Sequence, residues 1–125
     1  MTRDDASRPA LGRRRYPRLE IDGVLELKNV TLGVSLEVRD ISLGGFRAVS
    51  PRKVRPGDDH ILRVALPGEL PRDLRVQVVH CTPATGHRAS YVVGWQFGPD
   101  TMTARHVVAI LDHLTQVSTF QALRS

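Results

Sequence analysis

Apolar residues alternate with polar ones in short runs along most of the chain, and the period becomes helical only near the end. Leu19, Ile21, Leu25 and Leu27 fall on odd positions, with Gly23 placed as a kink or bulge between them. Val34, Leu36 and Val38 alternate with Ser35, Glu37 and Arg39, which predicts a half-buried second strand. Asp40-Ile41-Ser42-Leu43-Gly44-Gly45 reads as a turn, and Phe46-Arg47-Ala48-Val49 opens a third strand. After a loop marked by Pro51, Pro56, Gly57 and Asp58-Asp59, Leu62, Val64 and Leu66 form a fourth strand. Leu74, Val76 and Val78 form a fifth. Thr82–Ser90 reads as a surface connection, and Tyr91, Val93, Trp95 and Phe97 alternate along a sixth.

Six short strands punctuated by Gly and Pro predict an all-β architecture, a closed or nearly closed antiparallel barrel or a sandwich. Closure removes the unpaired edges that six open strands would leave. Val107, Ile110, Leu111, Leu114 and Val117 then fall at helical spacing, giving a C-terminal amphipathic helix that Asp100 or Thr101 is placed to cap. Its apolar stripe is expected against one mouth or flank of the strands. Residues 1–12 carry no periodicity and read as a flexible tail, 13–118 as the folded unit, and 119–125 as a C-terminal tail.

The chain has 125 residues, the size of one domain, long enough to bury about two-thirds of its unfolded surface. Cys81 is the single cysteine, so no internal disulfide can form, and a reducing compartment is favoured. No apolar run reaches the roughly 20 residues of a membrane span, and Met1–Asp5 lacks the apolar stretch of a signal peptide. A cytoplasmic protein is the expectation. Net charge is +5, and of 18 basic residues only Lys28 and Lys53 are lysines. Arginine carries a planar fork of donors and stacks on rings, so this balance suits an anionic, planar partner such as a nucleotide.

Two motifs add chemistry. In Arg13-Arg14-Arg15-Tyr16-Pro17-Arg18, the spacing Arg-x-x-x-Arg occurs in one register, Arg14 to Arg18. Pro17 pushes Tyr16 to extended geometry, so the run is a basic loop rather than a helix. Its guanidinium groups can bond guanine O6 and N7, stack on a base, or pair with a phosphate. Such a cluster alone also fits a solvated tail, a nucleic-acid patch or an anionic-membrane contact. Asp40-x-Ser42-x-x-Gly45 lies where two strands meet. Asp40 can accept from guanine N1–H and its exocyclic amine, Ser42 can bond a ligand or its own turn, and Gly44 and Gly45 permit positive φ and close approach of backbone to a flat ligand.

Taken together, in this order and one β-hairpin apart, the two motifs resemble those of the PilZ domain family. Gly94-Trp95-Gln96-Phe97 is similar to the Gly-x-x-Phe near the end of the PilZ barrel. The resemblance spans about residues 13–118. It implies a six-stranded antiparallel β-barrel with a C-terminal α-helix, binding cyclic di-GMP across one outer face. Residue by residue it implies that Arg13, Arg14 and Arg18 of the first motif, and Asp40, Ser42 and Gly45 of the second, contact that ligand. It further implies a receptor without catalysis, needing no cofactor. On this reading residues 1–18 become ordered over the ligand and present a new surface to a downstream protein.

Other classes fit less well. His80 and Cys81 are neighbours on a strand and point to opposite faces, and His106 and His113 share a helix face without a carboxylate, so no metal site is expected. No nucleophile elbow, phosphate-binding loop or dinucleotide fingerprint occurs, so an enzyme is not expected. The alternative is a small nucleic-acid-binding barrel using Arg13–Arg18 as a phosphate clamp. Such barrels display aromatics for base stacking, whereas this chain is 5% aromatic and Tyr91, Trp95 and Phe97 share a face read as inward.

Overall fold

The computed structural model describes residues 17–21, 25–86 and 90–124, with side chains as far as Gln116. Seven strands are present among these residues: β1 (Leu19–Glu20), β2 (Glu26–Asn29), β3 (Val34–Ile41), β4 (Gly45–Ser50), β5 (Asp59–Val64), β6 (Arg72–Pro83) and β7 (Tyr91–Phe97). The helix α1 (Thr101–Arg124) comes last. All pairings are antiparallel, in the order β1-β3-β2-β5-β6-β7-β4, and a further β3–β4 pairing closes the sheet. β1 and β2 are two pieces of the expected first strand. Both lie along β3, with Leu19 opposite Ile41 and Glu26 opposite Glu37. Six positions therefore go round the barrel, as expected; Gly23, the expected kink, lies outside the described residues.

The alternation read from the sequence is the burial pattern observed. Leu27, Leu36, Val38, Leu62 and Leu74 are fully buried, and Phe46, Trp95 and Phe97 join them inside. Phe46 stacks on Trp95 with ring centroids 5.9 Å apart and meets Phe97 at 5.5 Å. Several boundaries differ from the expectation. Asp40 and Ile41 continue β3, leaving Ser42–Gly44 as the turn. β5 ends at Val64, with Leu66 buried just beyond it. β6 runs on to Pro83, since Thr82 and Pro83 still pair with Val92 and Tyr91. Thr82-Pro83 looks like a loop by composition, yet a partner strand on one side suffices to hold it extended.

Asp100 caps the helix: its Oδ2 accepts from the Thr103 amide at 2.9 Å. That backbone hydrogen bond holds the Asp100 carboxyl below its ordinary pKa. Thr103 Oγ1 accepts from the Arg75 amide at 3.1 Å, and His106 Nδ1 donates to the Asp73 carbonyl at 3.0 Å, so the first turns are tied to β6. Val107, Ile110 and Leu114 enter the core. The helix then continues to Arg124. Ser118–Arg124 contains neither Gly nor Pro, so nothing in the sequence stops the helix there.

Polar pairing also occurs inside the barrel. His60 on β5 is 6% exposed, and its Nδ1 accepts from Asn29 Nδ2 at 3.1 Å, which requires the neutral ring with the proton on Nε2. Asn29 Oδ1 in turn accepts from the Leu32 amide in the β2–β3 turn. Burial lowers the His60 pKa, against a smaller opposing pull from Asp58 and Asp59. The folded state thus favours neutral His60, and on acidification the unfolded chain takes up this proton first. Stability should fall as pH drops from about 6.5 through the folded pKa. The depressed carboxylates Asp73 and Asp100 act at lower pH. Melting curves between pH 7.5 and 5 test this: His60→Gln should flatten the dependence, and an unchanged slope would remove His60 as its source.

Candidate functional site

A strand alternates its side chains between two faces, so residues two apart share a face. β3 breaks that rule once. Val38 pairs with Ala48 and Ile41 with Phe46, all four in the core, so β3 advances three residues while β4 advances two. The extra residue is a β-bulge between Val38 and Asp40, and it reverses the facing of everything after it. Asp40, which simple alternation would send into the core behind Val38, instead stands on the outer face opposite Arg47.

Asp40 is nonetheless completely covered. Its Oδ1 accepts from Arg18 Nη1 at 2.7 Å, and its Oδ2 accepts from Arg47 Nε at 2.7 Å and Nη2 at 2.6 Å. Both arginines are about half exposed, at 49% and 46%. The carboxylate therefore anchors two guanidinium groups that each keep an exposed side. A base can reach Asp40 only when one of those arginines moves.

The other residues of the second motif are built into the turn. Ser42 is buried; its amide donates to the Gly45 carbonyl at 2.8 Å, and its Oγ accepts from the Gly44 amide at 3.3 Å. Gly45 is needed for space rather than for positive φ, one of the two properties expected of it. Positive φ among the described glycines is found at Gly33, Gly57, Gly68 and Gly86. A Cβ on Gly45 would collide with the Trp95 carbonyl oxygen and lie 3.3 Å from Gln96 Cα. The missing side chain lets β4 and β7 meet where β4 begins.

Arg18, Ser42, Gly44, Gly45 and Arg47 line a cleft of about 410 Å³, together with Val79, His80, Gly94 and Gln96 and parts of Phe46 and Trp95. Of the residues singled out from the sequence as ligand contacts, Arg18, Ser42 and Gly45 line this cleft, and Asp40 lies directly behind it. Arg13 and Arg14 lie outside the described residues. Another cleft, of about 480 Å³, lies beyond Gln96 against Gly98 and Asp100 and gathers no residue of either motif. Among the described residues no group of histidine, cysteine and acidic side chains is arranged to hold a metal ion, and no helix is long and apolar enough to cross a membrane.

Arg47 and His80 were not singled out from the sequence as ligand contacts. Arg47 was legible in principle, since it comes two residues after Gly45 on one strand and so shares its face. From the sequence, His80 stands out only as a possible metal ligand, and its neighbours do not support that role. Its outward position depends on a second bulge, between Val78 and His80.

The chain matches the PilZ domain family model over residues 12–113. Among solved structures it is similar to the PilZ domain with c-di-GMP of YcgR from Escherichia coli, at a TM-score of 0.68 and 15% identity, covering 90% of this chain and 99% of that one. It is also similar to the K. pneumonia MrkH-c-di-GMP complex, at 0.66 and 18%, covering 87% of this chain and 55% of that one. The PilZ domain of CeSA from a cellulose-synthesizing bacterium matches at 0.55 and 16%, covering 79% and 98%. The chain spans about half the length of MrkH and of the longer YcgR structure. No curated protein matches.

The Asp40–Arg47 pair makes a direct prediction. Removing Arg47 leaves a buried carboxylate with Arg18 as its side-chain partner among the described residues, so Arg47→Ala should cost about 1–2 kcal/mol, the half-exposed guanidinium keeping this below a fully buried pair. In an Asp40→Asn background the same change should cost about 1 kcal/mol less. Denaturant melts of the four proteins measure the coupling, and strictly additive losses would mean the ion pair contributes nothing.

Proposed function

The chain belongs to the PilZ domain family, and from that premise we propose that it is a receptor for cyclic di-GMP that acts through a protein partner rather than by catalysis. The observation that carries this reading is the cleft in which Arg18 and the second motif meet around a buried carboxylate. A ligand with two phosphates and two guanines suits it. Guanidinium groups pair with phosphate oxygens and with guanine O6 and N7. Asp40 accepts from guanine N1–H and the exocyclic amine, a donor pair that adenine lacks.

The mechanism follows from the shared carboxylate. Arg18 and Arg47 each hold one oxygen of Asp40. When an anionic ligand draws Arg18 away, Oδ1 is released to a guanine while Arg47 keeps Oδ2 in place. Arg13 and Arg14 add further contacts from the loop before β1. Ser42 and Gly45 are already set by the turn, so the second motif receives the loop. On this reading residues 1–18 gain protection when ligand binds, and the docked segment with the adjoining barrel face forms the surface a partner reads. Part of the binding free energy is spent on ordering.

Calorimetry tests the assignment. Cyclic di-GMP should bind with an affinity between tens of nanomolar and tens of micromolar, roughly −7 to −10 kcal/mol. Arg14→Ala and Arg18→Ala should each weaken it by at least about 2 kcal/mol. Unchanged affinity with both replaced would sink the reading, as would a response to a single-stranded oligonucleotide alone, which would favour the nucleic-acid alternative.

Asp40→Ala should narrow the preference for cyclic di-GMP over cyclic di-AMP, read by competition binding; an unchanged preference would leave Asp40 as an anchor for arginines only. Hydrogen exchange of residues 1–18 should slow on ligand addition. Equal protection with and without ligand would mean a preformed site, and the signal would then leave by another element.

A further inference from the structure

We propose that His80 is a base-stacking platform in the floor of the cleft, seated face-down on Gly94, and thus a ligand-contacting residue that neither motif contains. This rests on the cyclic di-GMP reading above. The position of His80 comes from the second bulge. Val78 pairs with Trp95 and Cys81 with Val93, so β6 advances three residues while β7 advances two. His80, which would otherwise continue the inward row after Val78, is turned outward opposite Gly94.

The pairings then form one continuous row across the outer face. Asp40 is opposite Arg47, Arg47 opposite Gly94, and Gly94 opposite His80. Three strand spacings of about 4.8 Å put His80 about 14 Å along the row from Asp40. The row thus has a carboxylate and its arginines at one end, a bare backbone in the middle, and an imidazole at the other.

The geometry at Gly94 shows how that ring lies. A Cβ built on Gly94 would fall inside His80 Nε2, with Cδ2 at 2.7 Å and Cε1 at 2.8 Å. Three ring atoms at such similar distances are what a point above the ring face meets. A point in the ring plane beyond Nε2 would lie much farther from the two carbons than from the nitrogen. The imidazole therefore covers Gly94 with one face. Its other face belongs to an exposed residue that lines the cleft.

This arrangement differs from that of an ordinary surface histidine. The ring occupies the volume where any other residue at position 94 would carry its side chain, so the flat pose of His80 requires glycine there. A ring backed by a sheet loses little freedom when a base is laid on it. Stacking accepts the π-face of a purine without reading its edge. Edge recognition then falls to Asp40 at the far end of the row, and the charged contacts to the arginines.

The test compares His80→Ala, His80→Phe and Gly94→Ala in the full chain, by cyclic di-GMP calorimetry with melting curves as the control for folding. H80A should weaken binding by about 10-fold, and H80F, which keeps a flat ring, should restore it to within about threefold. G94A displaces the ring, so it should weaken binding when His80 is present and have little effect in the H80A background. An upfield ring-current shift of a guanine H8 proton should accompany wild type and H80F and vanish in H80A. Unchanged affinity in H80A would overturn the platform while leaving the receptor reading intact. Equal losses in H80A and H80F would also overturn it, since the polar atoms of His80 would then matter rather than its face. If the wild-type chain binds no cyclic di-GMP, the receptor reading fails and the platform falls with it. Should G94A fail to fold, the two His80 variants decide the matter alone.

Discussion

In a closed barrel a polar side chain that falls on an inward position must be paired there or turned out, because alternate residues of every strand point into the core. β3 and β6 both carry a polar residue two positions after a buried valine, Asp40 after Val38 and His80 after Val78. Each strand escapes the conflict with one extra residue, a bulge that reverses the facing of the residues after it. Ile41 and Cys81 then take the inward positions, and Asp40 and His80 move outside. The two bulges lie on strands that flank β4 and β7, so their effects converge on one outer face. The cleft exists because of this paired reversal.

The outer row is shaped as much by missing side chains as by present ones. Gly45 lets the start of β4 close against the Trp95 carbonyl, and Gly94 leaves the space that His80 covers. Behind this thin wall, Phe46, Trp95 and Phe97 stack on the inner face and make the sheet a firm backing. The buried Asp40 carboxylate holds Arg18 and Arg47 against that backing. One carboxylate thus orients two half-exposed guanidinium groups at once. An arginine paired this way loses less freedom on meeting an anion than one on an open loop.

The helix is tied to the same strand that carries the His80 bulge. Thr103 and His106 bond the backbone of Arg75 and Asp73 on β6, and the helix stripe of Val107, Ile110 and Leu114 completes the core. Inside the barrel, the Asn29–His60 pair joins the β2–β3 turn to β5, the neighbour of β6, with the His60 ring 5.2 Å from Trp95. The interior is therefore not purely apolar, and its polar link favours a neutral histidine. Cleft, helix and interior pair meet at β6, β7 and the Trp95 cluster rather than forming separate regions.

Much of the architecture comes from period alone. The odd-position run from Leu19 to Leu27, the even-position run from Val34 to Val38, and the alternation around Trp95 each mark an inward face, and helical spacing from Val107 to Leu114 marks the last element. Asp100 as cap was equally legible, because an Asp after Gly-Pro can reach an amide three residues on. The two motifs pointed to Arg18, Asp40, Ser42 and Gly45 before any fold was known. Period could not reveal where it is broken: a single extra residue in β3 and in β6 leaves no mark in composition, because it satisfies a register that only the partner strand defines. Tertiary structure alone therefore decided that Asp40 is buried between two arginines, that Gly45 is required by Trp95 rather than by its own φ, and that Gly94 and His80 continue the row. Each depends on which residue stands opposite across a strand pair, and that pairing is set by closing the barrel.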